Sequence, residues 1–302
     1  MSPLPIDGIP GRYSVRLREV HVRDRLAPLL EQSAHGVVKL DLALRSIAAL
    51  PGTADYPGAV PSDVSWEQLH DLVRAPDFYD SAGALKRRWT GDKLARLESL
   101  GLVRKEKVQG TRPRIIVLSD AGDGESFDDP GASKDTPYVT FLGSLIAYQR
   151  LESWKSPQLA AYFAAMQAER YARSDSDLAN ILKLRETRLG GGIWYRPLSW
   201  FSDPSNHRPE RHVRFPFSER TLRRGIRSLI SEGLMASCRI GTDPRSGKRF
   251  ANGYRTIYQN SFDDARPRHR TISAWELRSL IDDRVSSYQE DSSTSSVPSM
   301  SA

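Results

Sequence analysis

The chain is 302 residues long, with 39% apolar and 27% charged residues and a net charge of +7. That length is enough for two domains, and no apolar run approaches the roughly 18 residues of a membrane-spanning helix. A single cysteine, Cys238, excludes an intrachain disulfide and any multi-cysteine zinc site. The opening MSPLPIDGIPGRY has no charged segment followed by an apolar one, so no secretory signal is expected and a reducing cytoplasm is the expected compartment.

Residues 1–36 begin rich in proline and glycine and continue as RYSVRLREVHVRDR, with Arg12, Arg16, Arg18, Arg23 and Arg25. Two readings stand: a basic arm, or a packing segment in which Tyr13, Val15 and Leu17 alternate with polar residues as in a strand. Val37, Leu40, Leu44 and Ile47 then recur at helical spacing. After a Pro/Gly loop, Ser65 is placed to cap a second helix over Trp66–Ala75, with Trp66, Leu69 and Val73 inward. Ser81–Leu100 predicts a third helix, or two broken at Thr90-Gly91, because the apolar phase slips there. Gly101 ends it. Leu102–Val108 and Arg114–Leu118 read as two strands of a hairpin, with a turn at Gln109–Pro113.

Ala121–Pro137 is acidic and rich in Gly, Asp, Ser and Pro, the composition of a linker or mobile loop. Helices are expected over Tyr138–Trp154, Ser156–Arg173 (Leu159, Tyr162, Phe163 and Met166 inward) and Asp177–Leu189. Gly190–Gly192 breaks the chain, and Asp203–Arg214 reads as a basic loop. A helix is expected within Thr271–Tyr288, and the serine-rich tail from about 289 has the composition of a disordered segment.

Phe217–Gly233 (FSERTLRRGIRSLISEG) carries the sharpest pattern. Ser218 is an N-cap, and Leu222, Ile226, Leu229 and Ile230 form the apolar stripe of an amphipathic helix. Arg220, Arg224 and Arg227 fall on the opposite face, with Arg223 at its edge, and Gly233 suits a left-handed cap. Leu234–Ile240 and Tyr254–Tyr258 read as strands joined by a turn-rich tip with Arg245, Lys248 and Arg249. The charge is concentrated to match: residues 81–120 carry +6 and residues 207–260 carry +8, leaving −7 for the rest of the chain. Such segregation suits phosphate-facing surfaces.

The pattern S-x-x-T-L-R-R-x-I-R-x-L-x-x-E-G-L followed by a basic hairpin resembles the recognition helix and wing of bacterial winged helix-turn-helix proteins. The R-L-E-S-L-G-L-V stretch and its hairpin resemble a second copy. The tandem arrangement resembles plasmid-type replication initiators or winged-helix transcriptional regulators. The resemblance implies a mainly α fold with small β-hairpin wings (α+β), as two winged helix-turn-helix domains in tandem. The expected division is a basic arm at 1–36, a first domain at 37–120, an acidic linker at 121–137, a second domain at 138–264, a C-terminal helix at 265–288 and a disordered tail at 289–302. It further implies site-specific binding of double-stranded DNA at the nucleoid, as a regulator or initiator. The expected contacts are Lys86, Arg87, Arg88, Lys93 and Arg96 on the first helix and Arg104, Lys105, Lys107, Arg112 and Arg114 on its wing. In the second copy they are Ser218, Arg220, Thr221, Arg223, Arg224 and Arg227 on the helix and Arg245, Lys248, Arg249 and Arg255 on the wing. Expected protein partners are a second copy of the chain or replication and transcription proteins; no membrane is expected.

No catalytic constellation stands out, so no enzyme, no metal and no cofactor is expected. His207 and His212 lack neighbouring cysteines or clustered carboxylates, and Ser246–Arg249 (SGKR) lacks the phosphate-loop pattern. His21-Val22-Arg23 and His212-Val213-Arg214 each hold one histidine where a rolling-circle nuclease needs two, and Arg266–Tyr288 does not match tyrosine-recombinase spacing. A partition or nucleoid-structuring protein is the alternative, and a DNA-processing enzyme a more distant one.

Overall fold

Val15 and Leu17 alternate with Arg16 and Arg18 along the first strand, β1 (Ser14–Arg18), and this alternation decides its place. The computed structural model of the chain describes residues 14–49, 58–62, 64–73, 83–107, 112–128, 137–142, 144–147, 150–174, 217–232, 234–238 and 253–256. In it β1 pairs antiparallel with β4 (Tyr138–Leu142), Ser14 opposite Leu142 and Arg18 opposite Tyr138. Val15, Leu17, Val139 and Phe141 are buried on the shared inner face. The described part of the expected N-terminal arm is therefore a packed segment. Three of its arginines are engaged within the fold: Arg16 lies 5.4 Å from the Tyr138 ring centroid, Arg18 is held by Asp120 and Asp128, and Arg23 pairs with Asp24.

A helical run follows, α1 (Glu19–His21), a π-helical turn (Val22–Leu26) and α2 (Ala27–Glu31). It leads into α3 (His35–Ala48), in which every residue from Gly36 to Ala48 is buried. A helix buried on every side lies at a core's centre. Val37, Leu40, Leu44 and Ile47, expected at helical spacing, are buried, and so are the residues between them. Lys39, Asp41 and Arg45 are buried with them, each with a partner. Arg45 Nε donates to both Asp41 carboxylate oxygens at 3.1 Å and its Nη1 to the Leu118 carbonyl at 3.1 Å. Lys39 Nζ donates to the Glu152 carbonyl at 3.2 Å.

Ala59 forms an isolated antiparallel bridge with Ile116. Then come α4 (Trp66–Val73) and α5 (Gly83–Ser99), followed by β2 (Val103–Glu106) and β3 (Arg114–Val117), an antiparallel pair. The Ser65 cap is reciprocal: Gln68 N donates to Ser65 Oγ at 3.1 Å and Ser65 N to Gln68 Oε1 at 2.6 Å. The helix α5 runs unbroken through Gly91. A Cβ there would lie 3.1 Å from a Trp66 ring carbon, so the residue that costs helix propensity lets α4 lie close. At the end of α5, Gly101 has φ +70° and Leu102 N donates to the Leu97 carbonyl at 3.0 Å, a left-handed cap.

The second half also departs from expectation at its start. Tyr138–Trp154 is not one helix but β4, a short α6 (Ser144–Ala147) and a 3₁₀ turn at Arg150–Ser153. YVTFL is β-branched and aromatic, and β1 offers it an edge. Next comes α7 (Ser156–Ser174), with Leu159, Tyr162, Phe163 and Met166 buried as expected. The helix α8 (Glu219–Ser231) packs on α7 and runs into β5 (Met235–Cys238), which pairs antiparallel with β6 (Gly253–Thr256). One continuous apolar core extends from Val15 to Met235 and takes in residues of both halves. Coarsely, the chain is mainly helical with small antiparallel sheets, and among the described residues no helix is long and apolar enough to cross a membrane. The elements expected at Asp177–Leu189, Gly190–Arg214 and Thr271–Tyr288, and the tail, lie outside the described residues.

Candidate nucleic-acid interface

Ser218 starts α8 as its sequence suggests: its hydroxyl accepts from Thr221 N at 3.2 Å, and the two side-chain oxygens are 3.0 Å apart. Leu222, Ile226 and Leu229 are buried and Ile230 is half-buried. The inner face is set by Gly225. A Cβ on it would lie 1.9 Å from the Pro157 carbonyl oxygen and 2.7 Å from the Ala161 Cβ, so α8 rests backbone against backbone on the first turns of α7. Polar side chains secure the far end. Trp154 Nε1 donates to Glu232 Oε2 at 2.7 Å, Ser228 Oγ to Glu232 Oε1 at 3.1 Å, and Gln158 Nε2 to Ser228 Oγ at 3.1 Å.

With its inner face fixed, α8 presents Arg220, Arg223, Arg224 and Arg227 outward, and all four are exposed. Arg223 lies 3.5 Å from Glu219 one turn earlier. Among the described residues no carboxylate pairs with Arg220, Arg224 or Arg227. At 1.5 Å rise per residue, Arg220 to Arg227 spans about 10 Å along the helix, or about three base-pair steps. Three guanidinium groups held on one helix face, with no carboxylate partner among the described residues, form a surface suited to an anionic polymer.

The basic residues of α5 fall into two groups. Lys86 pairs with Asp71 at 2.7 Å and Arg87 with Glu67 at 2.6 Å, both carboxylates on α4. These two cations join α4 to α5. Against burial, which raises them, Lys86 holds the Asp71 carboxyl below its ordinary range and Arg87 does so for Glu67. Lys93 lies 5.7 Å from the Trp89 ring centroid. Arg88 and Arg96 are exposed and face outward, with no carboxylate partner among the described residues.

The hairpin β2–β3 after α5 is partly neutralised as well. Arg104 pairs with Glu106 at 3.0 Å and Lys105 with Glu98 at 2.9 Å, and Lys105's hydrogen bond holds the Glu98 carboxyl low. Lys107 is exposed. Arg112 and Arg114 line a cavity of about 460 Å³ with Val60, Pro61, Trp66 and Pro113. Of the basic residues expected on the second hairpin, Arg255 falls in β6, whereas Arg245, Lys248 and Arg249 lie outside the described residues.

The two helix–hairpin units share one interval. Ser99 and Ser231 end their helices, and Val103 and Met235 open the strands that follow. Leu234 N donates to the Leu229 carbonyl at 2.9 Å, as Leu102 N does to Leu97 at 3.0 Å. In this register Arg88 corresponds to Arg220 and Asp92 to Arg224.

A second polar cluster, which the sequence did not signal as a unit, lies inside the core. His21 Nε2 is 3.1 Å from Asp41 Oδ2, and both side chains are fully buried. Burial and the neighbouring Arg45 charge hold His21 below its ordinary pKa, so it is neutral and donates from Nε2. Burial raises the Asp41 carboxyl, but Arg45 and the His21 hydrogen bond outweigh it and keep the group low and ionised. Nearby, Asp128 and Asp120 raise the pKa of Arg18. This is a structural ion network in place of the basic arm. Among the described residues no group of three His, Cys, Asp or Glu side chains is arranged to hold a metal ion. In comparisons with known protein families, curated proteins and solved structures, the chain matches none.

Proposed function

We propose that this protein binds double-stranded DNA through two winged-helix modules, with α8 as the principal reading helix. The observation that carries the reading is the row Arg220, Arg224 and Arg227, exposed and, among the described residues, without carboxylate partners on the outer face of a helix whose inner face is locked by Gly225. A hairpin follows immediately, in the order of a helix that enters the major groove and a wing that follows the backbone. The first module has a matching element order: α3, the Ala59 bridge to Ile116, α4, α5, then the hairpin β2–β3. In this reading Arg88, Arg96 and Lys107 supply its contacts, while Lys86 and Arg87 support the scaffold. A transcriptional regulator or a replication initiator is the use that two unlike DNA-reading modules suit best.

The test is fluorescence anisotropy of the full chain on a labelled 30-bp duplex at several salt concentrations. Neutralising about six to ten phosphates lowers affinity by about a thousandfold or more between 50 and 200 mM salt. A slope of log affinity against log salt near zero refutes the proposal.

A further inference from the structure

Asp92 stands where a phosphate-binding surface has no use for a carboxylate. It lies in the middle of the outward face of α5, one turn after Arg88 and one turn before Arg96. All three are exposed. Spacing of four residues allows Asp92 to pair with either arginine. It pairs with neither, nor with any other cation among the described residues. Ala84, Ala95 and Ser99 share that face, and their small side chains permit close approach to a groove. In the register shared by the two helix–hairpin units, Asp92 occupies the place that Arg224 holds on α8.

We propose that Asp92 is a specificity-determining residue of the first module, accepting a hydrogen bond from the exocyclic amine of a cytosine in the DNA major groove. The inference rests on the DNA-binding reading above. Beside the phosphates a carboxylate is repelled, whereas at the floor of the major groove it meets the one donor that a cytosine presents, its N4 amine. Adenine also carries an amine there, but its N7 acceptor sits alongside and repels the second carboxylate oxygen. Arg88 and Arg96, about 6 Å away along the axis on either side, stand about two base-pair steps from Asp92. Arginine prefers guanine O6 and N7, so the first half-site is a cytosine flanked at that spacing by guanines or phosphates. At the matching place in the second half-site Arg224 selects guanine. The two modules therefore read unlike half-sites, and the sign of one side chain in a common register makes the difference.

The experiment is selection from a randomised 30-bp duplex library with the full-length chain, Asp92→Ala and Asp92→Asn, alongside each protein's affinity for one fixed scrambled duplex and its melting temperature. Asp92→Ala is expected to lose preference at one base pair by about tenfold or more, while binding the scrambled duplex as well as the parent or better. Asp92→Asn is expected to move that preference from cytosine to adenine, since an amide offers the donor and acceptor that adenine N7 and N6 require. Melting temperatures stay within about 2 °C of the parent, as for an exposed site. If the parent enriches a sequence and Asp92→Ala enriches the same one with equal preference, the Asp92 proposal is overturned and DNA reading stands. If the parent binds duplexes with no sequence preference, the proposal is overturned while DNA binding stands. Failure of the parent to bind any duplex overturns both. Loss of folding in both variants assigns Asp92 a structural role and overturns it as well.

Discussion

Gly225→Ala tests the framework on which the arginine row depends. Alanine is the better helix former by about 1 kcal/mol, so on propensity alone the substitution stabilises α8. The packing opposes it. The new methyl would lie 1.9 Å from the Pro157 carbonyl oxygen and 2.6 Å from the Pro157 carbonyl carbon, against 3.4 Å or more in ordinary contact. Both atoms are backbone and cannot rotate aside, so α8 must move off α7 by roughly 1.5 Å, at the upper end of overpacking costs, about 3 kcal/mol. The net loss is about 2 kcal/mol, which for a core of this size lowers the melting temperature by about 4–8 °C. Circular dichroism melts and urea titrations measure it, with Arg224→Ala as the neighbouring control. That exposed residue should move stability by no more than about 0.5 kcal/mol. A Gly225→Ala protein that melts at or above the parent's temperature refutes the close α7–α8 contact and, with it, the fixed orientation of the arginines.

Arg224→Ala should weaken binding to a selected DNA site by about 1–3 kcal/mol if its guanidinium forks onto a guanine, measured by anisotropy against a scrambled duplex. Leu17→Ala should cost about 2–5 kcal/mol in urea unfolding, because Leu17 is fully buried; an N-terminal segment that served as a free arm would lose almost nothing. Stability should fall as the solution is acidified. His21 and Asp41 both have folded pKa values below their unfolded ones, so the unfolded chain binds more protons. The His21 contribution is full above about pH 6.5 and fades as pH drops below it, and the Asp41 contribution is lost below about pH 4. Asp41→Asn should flatten the lower part of that profile while lowering overall stability by several kcal/mol, about 3–5 by analogy with broken buried pairs. A pH profile that is flat from 7 to 3 counters this account.

The parts of the fold that were legible in the sequence are those written in local chemistry. Ser65 with Gln68, Ser218 with Thr221, and the glycine ending α5 announce helix ends through hydrogen bonds made within a few residues. The outward direction of Arg220, Arg224 and Arg227 followed from the apolar stripe behind them. What was not legible depends on partners far away in the chain. Tyr138–Leu142 reads as the start of a longer helix until β1 is beside it, although its own composition favours a strand, and Arg18 looks like a phosphate contact until Asp120 and Asp128 meet it. Lys86 and Arg87 belonged to the basic cluster by sequence, and only the approach of Asp71 and Glu67 separates them from Arg88 and Arg96. Two long-range features do leave a mark in the sequence. Gly225 interrupts a good helix for no local reason, and α3 alternates charged and apolar residues with no polar face, which forces Lys39, Asp41 and Arg45 to find partners inside.

The pairing of β1 with β4 also sets a timetable. Tyr138 follows its partner Arg18 by 120 residues. At about 5–20 residues per second of synthesis, the first strand waits on the order of ten seconds for its neighbour to be made. Helices α3 to α5 and the hairpin β2–β3 involve nearer residues and can form in that interval. Val15 and Leu17 meanwhile have no sheet to join, and the nascent chain carries an apolar strand with an open edge. Arg16 and Arg18, alternating with them, keep that edge charged until Tyr138–Leu142 arrives, so the arginines that later tie the strand into the fold also guard it against pairing with another chain while it waits.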